Sequence, residues 1–162
     1  MALFLSTFIN KIDSKGRISV PAQFRMALSN AALLGTEFSG VIIYESFVNS
    51  CIEGCDIGRI KRLSDSIDEL DPFSESRDAF ATTILGGAVQ LAFDSDGRVI
   101  LPANLIAVAD LKDKAVFVGK GTTFEIWQPE RFEEYAKKAK ENAKDNRNLL
   151  RLSKVKIEAK TE

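Results

Sequence analysis

A segment of the form Asp-Ser-x-Gly-Arg occurs twice in this chain, and in both places three residues separate it from a Pro-Ala pair. The two occurrences span residues 13–22 and 94–103, so the second follows the first by 81 residues. Carried downstream without a gap, the same offset aligns Gly40 with Gly121, each at the start of an apolar run. Agreement over this length indicates a gene duplication, and it predicts two copies of one small unit in a single chain.

Each copy predicts a β-hairpin followed by a short helix. The Ser-x-Gly turn between apolar stretches needs a residue that tolerates positive φ, which Gly16 and Gly97 supply. Pro21 and Pro102 suit the first turn of a helix because proline has no amide hydrogen to donate. The predicted elements are strands at residues 8–12, 17–20, 40–44, 88–93, 98–101, 115–119 and 123–127, and helices at 21–29 and 102–109.

Further helices are predicted between the copies and after them. Apolar residues spaced by three and four indicate one helical face: Ile60, Leu63, Ile67 and Leu70. Asp71 and Pro72 predict an N-cap and first residue of another helix, which runs to about Leu85. Pro129 predicts the start of a C-terminal helix that continues through Ala143.

The chain is therefore predicted to contain four regions. They are a first module at residues 5–51, a helical linker at 57–86, a second module at 87–130, and a C-terminal helix with a basic tail at 130–162. Beyond Asn146 large apolar side chains are few, which predicts a frayed or disordered tail.

The net charge of −1 hides an uneven distribution. Residues 1–30 carry a net charge of +3, residues 31–130 carry −8, and residues 131–162 carry +4. On charge alone, a solvated mixture of charged side chains is the simpler interpretation. A locally basic surface can nevertheless bind a polyanion when the total charge is near zero.

Cysteine and histidine content argues against an enzyme and against a metal protein. The chain has two cysteines, Cys51 and Cys55, and no histidine. Two thiols do not complete the four-ligand set of a structural zinc site, so partly buried free thiols are expected. Without histidine the chain lacks the commonest general base. We predict no enzymatic activity, no cofactor, no metal and no small-molecule substrate.

Hydropathy predicts a cytoplasmic protein with no membrane partner. No apolar run approaches the roughly 20 residues that a spanning helix needs. The N-terminal residues lack the basic start of a signal peptide.

A hairpin, a short proline-led helix and a strand, all duplicated, resemble the MraZ family of bacterial transcriptional regulators. The segments that carry the resemblance are Asp13–Arg17, Val20–Ala22, Leu85–Ala88, Asp94–Arg98, Leu101–Ala103, Phe124–Trp127 and Pro129–Phe132. Members of that family carry two SpoVT/AbrB-type modules in one chain, and the resemblance covers about residues 3–145.

The resemblance implies a mixed, β-rich α+β fold, in which the two repeats interlock as a tandem AbrB-like swapped-hairpin β-barrel. It also implies a homo-oligomeric ring that binds short direct repeats in the promoter of the division and cell-wall gene cluster. The partners expected on this basis are promoter DNA and further copies of the chain, at a cytoplasmic, nucleoid-associated location.

In family members that bind DNA, the Asp-x-x-x-Arg region is implicated, which here falls on residues 13–17 and 94–98. We expect Arg17 to be the main DNA contact, because arginine can bind phosphate or read guanine edges. The predicted DNA-binding residues are Lys11, Lys15, Arg17, Arg25 and Arg98, and the predicted turn-shaping residues are Asp13, Gly16, Asp94 and Gly97.

The two turns are not expected to be equal. Asp96 stands where the first turn has Lys15, which makes the second turn a poorer phosphate binder. From the residues alone, Arg17 and Arg98 could each pair with an aspartate inside the fold and never contact DNA. With the resemblance, we favour DNA contact for Arg17 and a structural role for Arg98.

Two other functions share features with this sequence. Paired Asp-Ser turns in a duplicated β fold suggest an aspartic protease, but those turns lack the extra residue before glycine, and an adjacent arginine would keep each aspartate ionised. An antitoxin-like protein-interaction module is the alternative that stays open, because related AbrB-type modules neutralise a partner protein.

Overall fold

The computed structural model describes residues 2–32 and 38–152 and has a mixed α+β fold. The strands are β1 (Thr7–Lys11), β2 (Arg17–Ser19), β3 (Gly40–Glu45), β4 (Ile52–Cys55), β5 (Val89–Ala92), β6 (Arg98–Ile100), β7 (Lys114–Gly119) and β8 (Phe124–Trp127). The helices are α1 (Ala22–Ala32), α2 (Ile57–Asp68), α3 (Glu75–Phe80), α4 (Ala103–Val108) and α5 (Pro129–Asp145). A π-helical turn at Ala81–Leu85 follows α3, and a 3-10 turn at Arg147–Leu149 follows α5.

Six strands form one antiparallel sheet in the order β1-β7-β8-β4-β3-β5. Exchanging β1 with β5, β7 with β3 and β8 with β4 gives the same strand order, read from the opposite edge of the sheet. Strands pair between the copies, because β1 of the first copy joins β7 of the second and β5 of the second joins β3 of the first. The two remaining strands, β2 and β6, pair with each other as a separate antiparallel ribbon.

The predicted closed β-barrel is not found. Strands β1 and β5 are the two edges of the six-stranded sheet, and no pairing joins them within the described residues. The α+β class is confirmed, with an open antiparallel sheet in place of a barrel.

The gap-free alignment of the two copies is wrong beyond the short helix. Strand β7 starts 74 residues after β3, and β8 starts 72 residues after β4, so the offset of 81 is lost. Gly121 lies in the turn between β7 and β8 at φ +83°, whereas Gly40 begins β3. Most of the shift at β7 comes from the helices, because α1 has eleven residues and its counterpart α4 has six, and the rest comes from a shorter segment between α4 and β7.

The main hydrophobic core lies between one face of the sheet and a layer made by the ribbon, α1 and α4. Four phenylalanine rings pack at its centre with centroid separations of 5.0–6.2 Å: Phe4, Phe24, Phe117 and Phe124. The opposite face of the sheet is covered by α2 and the π-helical turn in the first copy and by α5 in the second.

The observed helices lie where the sequence predicts them, except in the linker. Helices α1, α4 and α5 confirm the predicted proline-led starts to within two residues, and α2 confirms the apolar face around Ile60 and Ile67. The predicted helix start at Asp71-Pro72 is wrong. The Asp71 carboxylate accepts a hydrogen bond from the Phe73 amide at 3.0 Å and shapes a turn, so α3 begins at Glu75 after its N-cap, Ser74.

Both cysteines are free, as predicted, but they are fully buried and not partly buried. Cys51 immediately precedes β4 and Cys55 is its last residue, and β4 is a strand that the sequence did not predict. Burial raises the pKa of the Cys55 thiol to about 12 and raises the pKa of Cys51 as well. In the tail beyond Asn146, predicted to be frayed or disordered, the first residues form the 3-10 turn at Arg147–Leu149, and from position 153 onward the tail lies outside the described residues. Over residues 2–32 and 38–152, no helix is both long and apolar enough to cross a membrane.

Candidate nucleic-acid interface

The first Asp-Ser-x-Gly-Arg turn, residues 13–17, is organised by one carboxylate. Asp13 Oδ1 accepts hydrogen bonds from the amides of Lys15 and Arg17, both at 2.9 Å. Its other oxygen, Oδ2, accepts from Arg17 Nε at 2.7 Å. Gly16 closes the turn at φ +80°, a conformation that glycine adopts without steric cost. Asp13 therefore shapes the turn and orients Arg17 at the same time.

The second turn, residues 94–98, repeats this arrangement with one addition. Asp94 accepts from the amides of Asp96 and Arg98 at 2.9 Å and from Arg98 Nε at 3.0 Å. The carboxylate of Asp96 also lies 3.4 Å from Arg98 Nη2. Arg98 thus faces two carboxylates, whereas Arg17 has Asp13 as its single ion-pair partner among the described residues.

Hydrogen bonds hold both aspartates in the charged form. The backbone amide of Arg17 lowers the pKa of Asp13, aided by the Arg17 side chain, and the backbone amide of Arg98 does the same for Asp94. A carboxylate that accepts several N–H bonds is stabilised relative to its protonated form. Both aspartates are therefore carboxylates at neutral pH, the form that accepts these hydrogen bonds.

The ribbon of β2 and β6 joins the two turns into one surface. Ile18 pairs with Val99 at its centre, and both side chains are buried. The alternate residues point outward: Arg17, Ser19, Arg98 and Ile100. Each arginine side chain is about one-third exposed. A two-stranded ribbon is narrow enough to enter the major groove of B-DNA, and this one carries an arginine near each end.

Arg25 crosses from α1 of the first copy to the second turn. Its Nε donates to the Val20 carbonyl at 3.1 Å. The guanidinium lies against Gly97, where an added Cβ would be 2.4 Å from Nη1. At the equivalent place in the first turn, the methyl Cδ1 of Ile106 approaches Gly16. Each helix thus covers the glycine of the other copy's turn, but a cation does so only at the second turn.

The sequence is similar to known proteins over nearly its whole length. A family model described as "MraZ protein, putative antitoxin-like" matches residues 84–152. A transcriptional regulator MraZ from Rickettsia akari is 52% identical over 152 residues, which cover 93% of this chain and 98% of the relative. Relatives of the same name from Rickettsia bellii and Rickettsia typhi share the same identity and coverage. The chain belongs to the MraZ family of transcriptional regulators.

Two further lysines of this MraZ-family chain lie near the first turn. Lys15 is exposed at the tip of the turn, and Lys11 is exposed at the end of β1. Lys11 is directly opposite Lys114 of β7, which the sequence analysis did not single out. The pairing of β1 with β7 brings these two cations together, and no local sequence signal reports that pairing.

Across the residues that the structure describes, no group of three His, Cys, Asp or Glu side chains could hold a metal ion. The relatives are named as regulators of transcription, not as enzymes. The ribbon and its two turns are the candidate site.

Proposed function

We propose that this chain regulates transcription by binding promoter DNA through the outer face of the ribbon. The observation that carries the proposal is the placement of Arg17 and Arg98 on that exposed face. The proposal is also supported by the relatives, which match this chain over almost their full length and are named transcriptional regulators. Arg17 is the main contact, with Lys15 and Lys11 positioning the phosphate backbone.

The geometry of the Asp13–Arg17 pair suits base or phosphate recognition. Asp13 occupies Arg17 Nε at 2.7 Å, and so fixes the plane of the guanidinium. The two Nη groups form no ion pair with the described residues, so both can donate to guanine O6 and N7 or to a phosphate. The pair therefore pre-orients the donor instead of consuming it.

The second turn is the weaker site in this proposal. Its arginine is shared between Asp94 and Asp96, and its tip carries a carboxylate where the first turn carries Lys15. Like charge repels the phosphate backbone at that tip. Arg98 therefore contributes more to the shape of the ribbon than to DNA affinity, and Arg25 is the nearest compensating cation.

The wider proposal follows from membership of the family. The modules at residues 5–51 and 87–130 are AbrB-type units that exchange hairpins, an idea supported by the pairing of β1 with β7 and of β5 with β3. The chain forms a ring and binds short direct repeats in the promoter of the division and cell-wall gene cluster. Few cations in one copy give weak, salt-sensitive binding, and a ring multiplies them by effective concentration. A nucleoid-associated location is part of the same proposal.

The test is a salt series of DNA binding with matched variants. Arg17→Ala should weaken binding to a labelled promoter duplex by about 1–3 kcal/mol, roughly 5- to 150-fold. Lys15→Ala should reduce the slope of log affinity against log salt by about one. Lys61→Ala removes an exposed charge from α2, on the other face of the sheet, and should change neither quantity. Unchanged affinity and slope in both turn variants would contradict the assignment.

An antitoxin-like interaction module is the second candidate, because the family model over residues 84–152 carries that description. The two functions differ in what the chain binds during purification. A regulator is retained on immobilised promoter DNA, whereas an antitoxin co-purifies with a small nuclease whose activity it suppresses.

A further inference from the structure

Helices α2 and α5 pack on the sheet in equivalent ways. Ile60 of α2 lies against Ile42 of β3, and Phe132 of α5 lies against Val116 of β7. The first cluster contains an additional apolar side chain, Ile84 of the π-helical turn, which is 2% exposed. The first copy therefore closes the space beside its helix with a segment of the same chain.

The second copy leaves the equivalent space open. A groove of about 520 Å³ runs between β1, β7 and the first three turns of α5. Its apolar wall consists of Ile9, Val116, Pro129, Phe132 and Ala136. The Ile9 side chain at this groove is 64% exposed, a large apolar surface left in water. In the described ranges no segment does for α5 what Ile84 does for α2.

The residue equivalent to Ile84 does not reach the groove. By the offset of the hairpins it is Leu3, which is 62% exposed. The N-terminal segment is held on the other face of the sheet, because Phe4 is buried in the phenylalanine core and exchanges backbone hydrogen bonds with Gly121 at 2.7 and 3.0 Å. The groove is thus open because the N-terminal segment packs on the other face of the sheet.

An apolar segment of suitable size lies just beyond the end of α5. Leu149, Leu150 and Leu152 are 75%, 85% and 97% exposed, respectively. The groove lies along the start of α5, and Ala136 is about 14 Å along the helix axis from the last residue of α5. The leucines therefore follow the C-terminal end of α5, beyond the groove lining, which ends at Lys140.

Charges at the two surfaces are complementary along the first two turns of α5. Arg147 and Arg151 flank the leucines, and Glu130 and Glu133 line this part of the groove, whereas Lys137 and Lys140 line its other end. We propose that residues 147–152 of one copy dock in the β1–β7–α5 groove of a second copy. The contact joins two different surfaces, so it repeats head to tail and can close into a ring. This docking proposal rests on the ring in the proposed function, and the docked segment is the contact between neighbouring subunits of that ring.

Light scattering after size exclusion tests the contact in the full chain. Ile9→Asp alters the groove, and the double variant Leu150→Asp/Leu152→Asp alters the docking segment. All three positions are exposed, so the fold should survive, which circular dichroism checks. Both variants should lose the oligomer and run as monomers. Phe73→Asp, at an apolar residue 95% exposed elsewhere, should keep the wild-type mass.

Mixing the two variants provides the sharper result. The Ile9→Asp chain retains its leucines and the leucine variant retains its groove, so an equimolar mixture should form dimers that cannot extend. Docking of the tail in the groove of its own chain would give no dimer on mixing, and would overturn the proposal. Wild-type mass in both variants would also overturn it.

Binding to promoter DNA separates this proposal from the proposed function. If the wild-type chain binds the promoter duplex but its mass does not depend on Ile9 or the leucines, the contact is wrong and the regulator stands. If the oligomer depends on both surfaces and no variant or wild-type chain binds the duplex, the contact stands and the regulator is wrong.

Discussion

Asp13 shows how one side chain can serve both folding and recognition. Its two oxygens accept three hydrogen bonds, two from backbone amides and one from Arg17 Nε. A short polar residue that bonds to amides two and four positions ahead is typical of a tight turn. Because the third bond fixes the arginine, the orientation of the proposed DNA contact follows from the turn itself.

Replacement of Asp13 by asparagine should lower stability in a pH-dependent way. The folded state lowers the pKa of Asp13, so its stabilisation is complete above the ordinary aspartate pKa of about 3.9 and is lost as the pH falls through the lowered value. Urea unfolding should show Asp13→Asn less stable than wild type at pH 7, with the difference shrinking at pH 3. Asp96→Asn, which removes no acceptor of a backbone amide, should show little difference at either pH; a constant deficit for Asp13→Asn would refute the linkage.

The pairing of β4 with β8 depends on the absence of a side chain at one position. Gly54 is directly opposite Phe124, and a Cβ at Gly54 would lie 2.3 Å from Cζ of that ring. The ring is fully buried in the phenylalanine core, so it has no room to move away. The middle of the sheet, where the two copies meet, is therefore intolerant of even a methyl group at this site.

Gly54→Ala should destabilise the fold by about 1–3 kcal/mol, the usual cost of overpacking a dense core. Gly58→Ala provides the control, since it adds the same methyl group in the first turn of α2, where the nearest atom is a carboxylate oxygen at 3.3 Å. Alanine favours a helix over glycine by up to about 1 kcal/mol, so Gly58→Ala should be neutral or slightly stabilising. Chemical denaturation of both variants measures the difference, and equal midpoints would disprove the packing argument.

Elements with local signals were predictable, and those that depend on the partner copy were not. The turns at Gly16 and Gly97 and the helices after Pro21 and Pro102 are determined by residues within a few positions. Strand β4 carries a glycine and a charge in four residues, so its strand character comes from its neighbours in the sheet. In the site, the turn residues could be named in advance, but the outward face of the ribbon arises only when β2 meets β6.

The two copies are related by an approximate two-fold axis that the charged residues break. Exchange of the copies preserves the strand order, the ribbon and the cover of α2 and α5 over the sheet. It does not preserve charge, because Lys15 corresponds to Asp96 and Arg25 corresponds to Ile106. A symmetric scaffold thus presents one basic turn and one acidic turn, with Arg25 of the first copy placed over the acidic one.

Exchanging the residues at Arg25 and Ile106 tests whether this asymmetry sets DNA affinity. Arg25→Ile should reduce the salt slope of promoter binding by about one, because it removes one cation beside the phosphate backbone. Ile106→Arg places a cation over Gly16 in the first turn and should increase the slope by a similar amount. The double exchange should return the slope close to the wild-type value, since the number of cations on the ribbon surface is restored.

Arg25→Lys separates charge from structure in the same assay. Lysine keeps the positive charge but cannot reproduce the hydrogen bond from Arg25 Nε to the Val20 carbonyl. If Arg25 acts through its charge, the lysine variant keeps the wild-type salt slope even if it unfolds at a lower denaturant concentration. If Arg25 only braces the second turn, Arg25→Lys and Arg25→Ile lose stability together and neither changes the slope. That second pattern would mean that the cation over Gly97 completes the turn, and that Arg17, Lys15 and Lys11 alone carry the attraction for DNA.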